Sequence, residues 1–322
     1  MQSLPEFADA LAERDDLIWP TPPAPKPMKA RPYSKPIAGI RAVMWDIYGT
    51  LLQVADGRMD LNPKPEIRLQ VALDKTIHEF NMWNSMTRKP GAPWEYMMSQ
   101  YRDVLGDERL RGGSDVKRGD VAHRNLGRVW KILIERLQQK EYRYDVAQHG
   151  PVDHFAEKVA FFFHSALQGT AAYPKALATI RSLAKRGLAQ GFIADAQPFT
   201  LLQLARCLQS QGKVPALNRV FQPELLSLSF ATGARKPSPG LFEYAVEQLR
   251  DSGISPEETL YVSSRIEEDV AVARKSGFRT ALFVGDQASA NAPKELLTDA
   301  NMKPDRLIVD LSQVVRIAAE AD

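Results

Sequence analysis

Short apolar runs that each end in a polar residue recur along the chain. The first run covers residues 42–45 and ends at Asp46, and a Gly-Thr turn follows it. A strand buried in a parallel sheet reads as a continuous apolar run, and open α/β sheets place their chemistry at the carboxyl ends of the strands. The pattern predicts that Asp46 lies at that edge, where Gly49 reverses the backbone and the Thr50 hydroxyl holds the turn or the carboxylate. An aspartate that only caps a following helix is the alternative interpretation.

Three later segments show the same pattern, and stretches with helical spacing lie between them. They are residues 191–195, which end at Asp195; residues 232–242, which place Lys236 in a loop with two prolines; and residues 259–269, which pass through Ser263 and Ser264 into Glu267, Glu268 and Asp269. The alternation of strand-like and helical stretches predicts an α/β fold with a parallel sheet. A lone lysine is usually solvated, but the place of Lys236 among these segments favours a functional role.

The stretch between residues 56 and 167 is predicted to be mostly helical. Apolar residues recur at helical spacing over residues 120–139, and residues 152–167 form a second candidate helix. Methionines and aromatic residues of the first half either pack in a helical core, which their spacing favours, or line an apolar substrate pocket. These residues are Met82, Trp83, Met86, Trp94, Tyr96, Met97 and Met98.

The first 37 residues have a different composition. Seven prolines fall within residues 20–36 with almost no periodicity, which predicts an extended or disordered N-terminal extension. Ahead of them, Pro5 suits a first helical turn, and residues 6–16 are predicted to form a short helix that docks onto the core or a partner.

Composition predicts a soluble cytoplasmic enzyme. Hydrophobic residues make up 44% of 322 residues and the formal net charge is +3, which fits about two domains with a sizeable core. We expect no membrane span and no secretion signal, because no long apolar span or signal core is present. Scattered basic residues without interleaved aromatics argue against nucleic-acid binding. Cys207 is the single cysteine and is predicted to be a buried helix residue, and the five histidines show no metal-ligand spacing.

Taken together, the four segments resemble the haloacid dehalogenase-like hydrolases, over roughly residues 38–55 and 170–315. The resemblance implies a doubly wound, Rossmann-like parallel sheet with an inserted helical cap domain. The expected division is an N-terminal extension at 1–37, an α/β core at 38–55 and 168–322, and a helical cap at 56–167.

The resemblance also implies roles for individual residues. Asp46 corresponds to the family's nucleophile, which forms a covalent aspartyl intermediate with the substrate. Lys236 corresponds to the lysine that holds the nucleophile and the transferred group by charge. Asp269 corresponds to the fourth-motif acid, a metal ligand or a water-orienting group. The residues predicted to contact a small-molecule substrate are Tyr48, Thr50, Asp195, Ser263 and Ser264.

Departures from the family pattern leave the chemistry open. Tyr48 stands where the family's phosphatases carry a second aspartate as the proton donor. The dehalogenases have Asp-x-Tyr-Gly-Thr there and a Val-Ser-Ser stretch in the fourth motif, as at residues 262–264. Ala194 and Asp195 instead replace the dehalogenases' Ser-Asn pair, and this change adds a negative charge near Asp46. The cap arginine of the dehalogenases has no recognisable counterpart among residues such as Arg58, Arg68 and Arg88.

Metal binding is open for the same reason. In the phosphatase branch Mg²⁺ is held by the nucleophile, here Asp46, by the backbone carbonyl two residues on, here that of Tyr48, and by a fourth-motif acid, here Asp269. Ser264 stands where the first acid of that motif usually lies. Dehalogenase-type chemistry implies no metal.

The sequence therefore predicts a hydrolase that acts on a small phosphorylated or halogenated molecule. The alternative is a catalytically degraded relative that binds a ligand or a protein, and Tyr48, Ala194, Asp195 and Ser264 motivate it. Substrate identity and oligomeric state are left open by the sequence.

Overall fold

The structure is a computed structural model that describes residues 1–86, 91–107 and 120–319. Arg88, noted above, lies outside these ranges. The strands are β1 (Ala42–Trp45), β2 (Leu52–Val54), β3 (Val121–Ala122), β4 (Thr170–Ala172), β5 (Ala189–Ala194), β6 (Leu226–Leu228), β7 (Ala234–Arg235), β8 (Thr259–Ser263), β9 (Arg279–Phe283) and β10 (Arg306–Ile308). The α-helices are α1 (Leu4–Ala12), α2 (Ile67–Glu79), α3 (Pro93–Gly106), α4 (Leu126–Gln138), α5 (Val146–His149), α6 (Val152–Leu167), α7 (Ala176–Lys185), α8 (Thr200–Gln209), α9 (Ser229–Thr232), α10 (Pro239–Asp251), α11 (Ala271–Lys275), α12 (Lys294–Thr298) and α13 (Gln313–Ile317).

Six strands form one parallel sheet in the order β10-β9-β8-β1-β5-β6. Successive side chains of a strand point to opposite faces, so Val43 and Trp45 of β1 enter one hydrophobic cluster and Met44 enters another. Helices α7, α8 and α13 cover the first face, and α10 and α11 cover the second. This arrangement confirms the predicted doubly wound, Rossmann-like α/β fold.

Between β2 and β4 the described residues form helices α2 to α6 and the short strand β3, and a single hydrophobic cluster joins α2, α3, α4 and α6. In α4 the buried residues include Val129, Trp130 and Leu133, at the predicted helical spacing. This helix begins at Leu126 and not at residue 120, because the Asn125 side chain accepts a hydrogen bond from the backbone of the first turn and the residues before it pair with β7. The inserted helical layer agrees with the predicted cap, while its exact boundaries at residues 56 and 167 stay a prediction.

The methionines of this helical layer belong to its core. Met82, Met86, Met97 and Met98 are buried in the helical cluster. They share this cluster with the aromatic side chains of α6. None of the four lines the cavity described below, so the substrate-pocket interpretation has no support for them.

The N-terminal stretch lies along both layers. Helix α1 begins earlier than predicted, because Ser3 and Glu6 form a reciprocal capping box and Pro5 occupies the first turn. Its buried residues join the helical cluster. Further on, the chain runs extended and pairs with the sheet edge through a bridge between Tyr33 and Leu307. The extension is therefore packed against the molecule at both of these points.

No helix within the described residues has the length and apolar content needed to cross a bilayer. Cys207 lies half-buried in α8 without a disulfide partner.

Removal of the Phe162 ring tests the packing of the helical layer. Phe162 is fully buried in α6 and its ring meets those of Trp19 and Phe80 edge to face. We expect Phe162→Ala to lower the free energy of unfolding by about 3–5 kcal/mol, because the ring leaves a cavity. Tyr244→Ala, at an exposed aromatic position of α10, should change it by about 0.5 kcal/mol or less. Urea unfolding followed by circular dichroism measures both, and equal losses in the two variants would contradict the assignment.

Candidate active site

The turn after β1 presents the Asp46 carboxylate. The Asp46 backbone N–H donates to the Val262 carbonyl of the neighbouring strand at 3.0 Å, so the strand pairing extends to this residue. Gly49 follows with φ near +89°, and a side chain there would collide with the Gly57 carbonyl oxygen. Only glycine tolerates both conditions. The Thr50 hydroxyl is buried and has no hydrogen-bond partner among the described residues.

Lys236 joins two carboxylates that come from different parts of the sheet edge. Its Nζ lies 2.6 Å from Asp46 Oδ1 and 2.9 Å from Asp269 Oδ1, and all three side chains are at most 1% exposed. Its position comes from the loop before α10, and its backbone N–H donates to Asp195 Oδ1 at 2.9 Å. The three residues predicted as catalytic are thus brought together in one buried cluster, and Lys236 is not a solvated surface lysine.

Arg265 is a fourth charged member of the cluster, and the sequence analysis assigned it no catalytic role. Its side chain is 8% exposed, and Nη2 lies 3.3 Å from Asp46 Oδ2. Its Nε lies 3.2 Å from Glu268 and 3.5 Å from Asp269. The turn that follows is π-helical, Ile266–Val270, a geometry that often marks functional sites. In sequence, an arginine at the start of an acidic turn is typical of a solvated residue, and its burial depends on contacts with β1.

Burial and neighbouring charges shift the pKa values of these groups in different directions. Burial raises the pKa of Asp46, and the charge of Lys236 offsets only part of that rise. Burial acts in the same direction on Asp269, but the charges of Lys236 and Arg265 outweigh it and hold its pKa below the ordinary value. Burial would lower the pKa of Lys236, yet the two carboxylates raise it above the ordinary value. Lys236 is therefore charged at neutral pH.

The remaining predicted residues fall in different places. The Tyr48 hydroxyl donates to Gln203 at 2.7 Å and hydrogen-bonds with Thr200 at 3.0 Å, both on α8, and burial raises its pKa. Ser263 donates to the Asp269 carboxylate. Ser264 is fully buried and its hydroxyl has no partner among the described residues.

A cavity of about 440 Å³ opens above Asp46. Asp195 lies in its wall, and burial raises the pKa of this carboxyl group. The wall also contains basic side chains, two of which come from the helical layer. The lining residues with charged or polar side chains are Asp46, Tyr48, Arg58, Asp60, Asn62, His123, Arg124, Asp195, Gln197, Arg235, Lys236, Arg265 and Glu268.

His123 is a cavity residue that the sequence interpretation missed. Its Nδ1 is hydrogen-bonded with the Ser229 hydroxyl at 2.9 Å, and burial lowers its pKa to about 4. The imidazole is therefore neutral at neutral pH. No sequence signal marks it, because only the pairing of β3 with β7 brings this residue to the cavity.

The donor set around Asp46 does not fit a magnesium ion. Mg²⁺ requires several free oxygen ligands in near-octahedral geometry, whereas both Asp46 oxygens contact cationic side chains, those of Lys236 and Arg265. The Asp269 oxygens contact Lys236, Arg265 and Ser263. Within the described ranges, no three histidine, cysteine or acidic side chains converge on a common point as metal ligands would.

Comparison with known proteins places this arrangement in a family. The family model described as haloacid dehalogenase-like hydrolase matches residues 40–277. The chain belongs to the haloacid dehalogenase-like hydrolases and is a hydrolase, as the four motifs predicted. No curated protein matches the chain.

Several solved structures are similar to this one. A 2-haloacid dehalogenase from Pseudomonas syringae pv. tomato DC3000 is 18% identical with a TM-score of 0.50, covering 85% of this chain and 96% of that one. An L-2-haloacid dehalogenase from Xanthobacter autotrophicus is 19% identical with a TM-score of 0.43, covering 86% and 97%. A haloacid dehalogenase-like phosphatase from Thermococcus onnurineus is 18% identical with a TM-score of 0.45, covering 85% and 96%. The likeness to the Pseudomonas syringae enzyme, at 18% identity, shows the fold alone.

The buried cluster yields a prediction about stability. Lys236→Met leaves Asp46 and Asp269 buried with Arg265 as their one remaining cationic partner among the described residues. Loss of one member of a buried ion pair typically costs about 3–5 kcal/mol. We expect a loss of that size in the free energy of unfolding at neutral pH. The matched control is Lys175→Met, which removes a surface pair with Asp310 of 2.7 Å and should cost about 1 kcal/mol or less. Guanidinium unfolding curves compare the two, and similar midpoints would contradict a buried ionic cluster.

Proposed function

We propose that this hydrolase uses Asp46 as the nucleophile and removes the halide from a small halogenated molecule that carries a negative charge. The observation that carries the choice of leaving group is the position of the Tyr48 hydroxyl. It is hydrogen-bonded to α8 through Gln203 and Thr200, so it is not available to protonate a departing alkoxide. A halide leaves with the bonding electron pair and needs no proton.

The first step of the proposed reaction is a displacement at carbon. An Asp46 carboxylate oxygen forms a bond to the carbon that carries the halogen, while the carbon–halogen bond breaks and the halide departs. In the second step water adds to the Asp46 carboxyl carbon, and the ester bond between that carbon and the former carboxylate oxygen breaks. The products are the hydroxylated substrate, the regenerated carboxylate and one proton, so the sum is the substitution of halide by hydroxyl from water.

The surrounding charges suit these steps. Lys236 holds one Asp46 oxygen and Arg265 approaches the other, which orients the carboxylate toward the cavity. We assign to Asp269 the positioning of Lys236 and Arg265, because its oxygens are engaged by these cations and by Ser263.

Asp195 is the carboxylate we propose for proton transfer in the second step. It lies in the cavity wall and its side chain forms no ion pair within the described residues, in contrast to Asp46 and Asp269. Burial raises its pKa, which brings a carboxylate closer to the range where general bases work well at neutral pH. It would accept the proton of the attacking water.

The arginines Arg58, Arg124 and Arg235 at the cavity wall are the groups we propose for binding the substrate anion. Arginine presents paired donors that match a carboxylate or a phosphate. A phosphate ester is the second candidate substrate. The burial that raises the pKa of Asp195 favours it, because a protonated carboxyl group in the cavity wall would supply the missing acid.

Replacement of the nucleophile tests the proposal. We expect Asp46→Asn to lower turnover of 2-chloropropionate by about 10³-fold or more, since loss of a nucleophile costs several orders of magnitude. Halide release is measured with and without a chelator, alongside phosphate release from p-nitrophenyl phosphate. Asp251→Asn, at an exposed position of α10, is the matched control and should retain activity.

The outcomes of this panel are distinct. Chelator-insensitive halide release that needs Asp46 supports the proposal, and single turnover in H₂¹⁸O should then place the label in the Asp46 carboxylate. Phosphate release that needs Asp46 favours the second candidate. Undiminished turnover in Asp46→Asn overturns the nucleophile, and silence with both substrates contradicts the substrate class and favours the ligand-binding alternative.

The acid side of the pH profile provides a separate prediction. Nucleophilic attack requires ionised Asp46, whose pKa is raised above its ordinary value of about 3.9. We expect kcat/KM to fall as the pH falls through an apparent pKa above that value. Just above this pKa, kcat/KM should be independent of pH. The profile is measured by halide release, with substrate that stays ionised throughout. An acid limb at or below the ordinary aspartate value would contradict the raised pKa.

A further inference from the structure

The side chain of Arg265 lies between Asp46 and the acids of the turn after β8. We propose that its guanidinium replaces a divalent metal ion at this site, as a cation built into the chain. The inference rests on the proposed function only in that Asp46 is taken as the nucleophile. It goes further by naming Arg265 as the group that places a positive charge next to the second carboxylate oxygen of Asp46.

Three carboxylates surround this one guanidinium. Nη2 lies 3.3 Å from Asp46, and Nε lies 3.2 Å from Glu268 and 3.5 Å from Asp269. The acids come from the end of β1 and from the turn after β8, which are the two elements whose acids would hold a metal. The guanidinium therefore lies within ion-pair distance of all three acids, and it would repel a divalent ion placed beside them.

The π-helical turn explains how one side chain reaches all three acids. The Val270 N–H donates to the Arg265 carbonyl at 3.1 Å across five residues, so the turn holds one residue more than an α-helical turn would. Arg265 itself is extended, with φ −125° and ψ 131°. As a result Glu268 and Asp269, which are neighbours in sequence, both lie within 3.5 Å of the same Nε.

Ser264 supplies the second, independent observation. Its side chain is fully buried, its hydroxyl has no hydrogen-bond partner among the described residues, and this oxygen lies 3.0 Å from where a Cβ on Gly49 would be. Position 264 thus faces the turn that carries the nucleophile. A serine there contributes no charge, although an acid at this place would lie next to Asp46.

Compared with a metal site, Arg265 in place of the ion and Ser264 in place of an acid change the charge by equal and opposite amounts. Exchange of a divalent ion for a guanidinium removes one positive charge, and exchange of an acid for Ser264 removes one negative charge. Buried charges are tolerated when they are matched. Arg265 and Ser264 are therefore expected to act as a pair, and neither change alone should produce a balanced metal site.

Direct measurement of metal binding tests this pair. The probe is Mn²⁺, followed by electron paramagnetic resonance and by calorimetric titration, on the full chain. The variants are Arg265→Ser, the double variant Ser264→Asp with Arg265→Ser, and Arg274→Ser. Arg274 of α11 forms an ion pair with Asp305 and is the matched control for the loss of an arginine. The wild type and Arg274→Ser should bind Mn²⁺ weakly, and the double variant at least about tenfold more tightly, which corresponds to about 1.4 kcal/mol.

Each outcome is decisive for the inference. Tight Mn²⁺ binding by the wild type that Asp46→Asn abolishes would overturn it, and so would a folded double variant that binds no better than the wild type. Binding gained by the double variant and lost again on Asp46→Asn supports it. If the double variant does not fold, Arg265→Gln replaces Arg265→Ser and retains more side-chain volume.

A second measurement separates this inference from the proposed reaction. Metal affinity is read without turnover, so a protein inactive on every substrate still gives an answer. If the wild type is active, added guanidinium should restore part of the activity of Arg265→Ser and should leave Lys236→Met unrestored. Restoration of both variants to the same degree, or of neither, would contradict a specific guanidinium position.

Discussion

The structure depends on one ammonium group buried between two carboxylates. Lys236 Nζ lies 2.6 Å from Asp46 and 2.9 Å from Asp269, and the three side chains are nearly inaccessible to solvent. A charge buried alone costs several kcal/mol, so each of these groups is tolerated only while the others remain in place. The end of β1, the loop before α10 and the turn after β8 are therefore held in one register by electrostatics as well as by packing.

The order of the strands makes that register possible. β1 is the central strand, with β8 on one side and β5 on the other. All three are parallel, so their carboxyl ends open at the same edge, where ligands of such sheets bind. Asp46, Asp195 and the turn after Ser263 thus meet although more than 200 residues separate the first from the last. The helical layer adds the remaining wall of the cavity through residues such as Arg58 and Arg124.

The residues of this site that can be predicted are those marked by a local pattern in the sequence. An apolar run that ends in a polar residue predicts both the strand and the residue at its end, which is why the position of Asp46 follows from sequence, whereas Asp269 follows from the resemblance to the family. Arg265 does not follow, because its burial requires β1 and the π-helical turn together. The direction of the Tyr48 hydroxyl depends on Thr200 and Gln203, which lie about 150 residues further along the chain.

The same comparison holds for the fold. Alternating strand-like and helical stretches predicted an α/β fold with a parallel sheet, and the resemblance to the family implied that the sheet is doubly wound. Helix boundaries were less predictable: a capping box moves the start of α1 to Leu4, and strand pairing with β7 delays α4 to Leu126. Both differences come from side-chain and backbone hydrogen bonds that hydrophobic periodicity does not record.

A cation that belongs to the chain differs physically from a bound one. The neighbouring carboxylates raise the pKa of Arg265 despite its burial, so its charge stays constant wherever the protein is folded. A bound metal would be released as its carboxylate ligands became protonated, which would couple loss of the cation to loss of the nucleophile. With Arg265 in place, the positive charge beside Asp46 remains when the pH falls far enough to protonate Asp46. In the proposed reaction, the acid limb of the pH profile would then report the titration of the buried carboxylates as one coupled system.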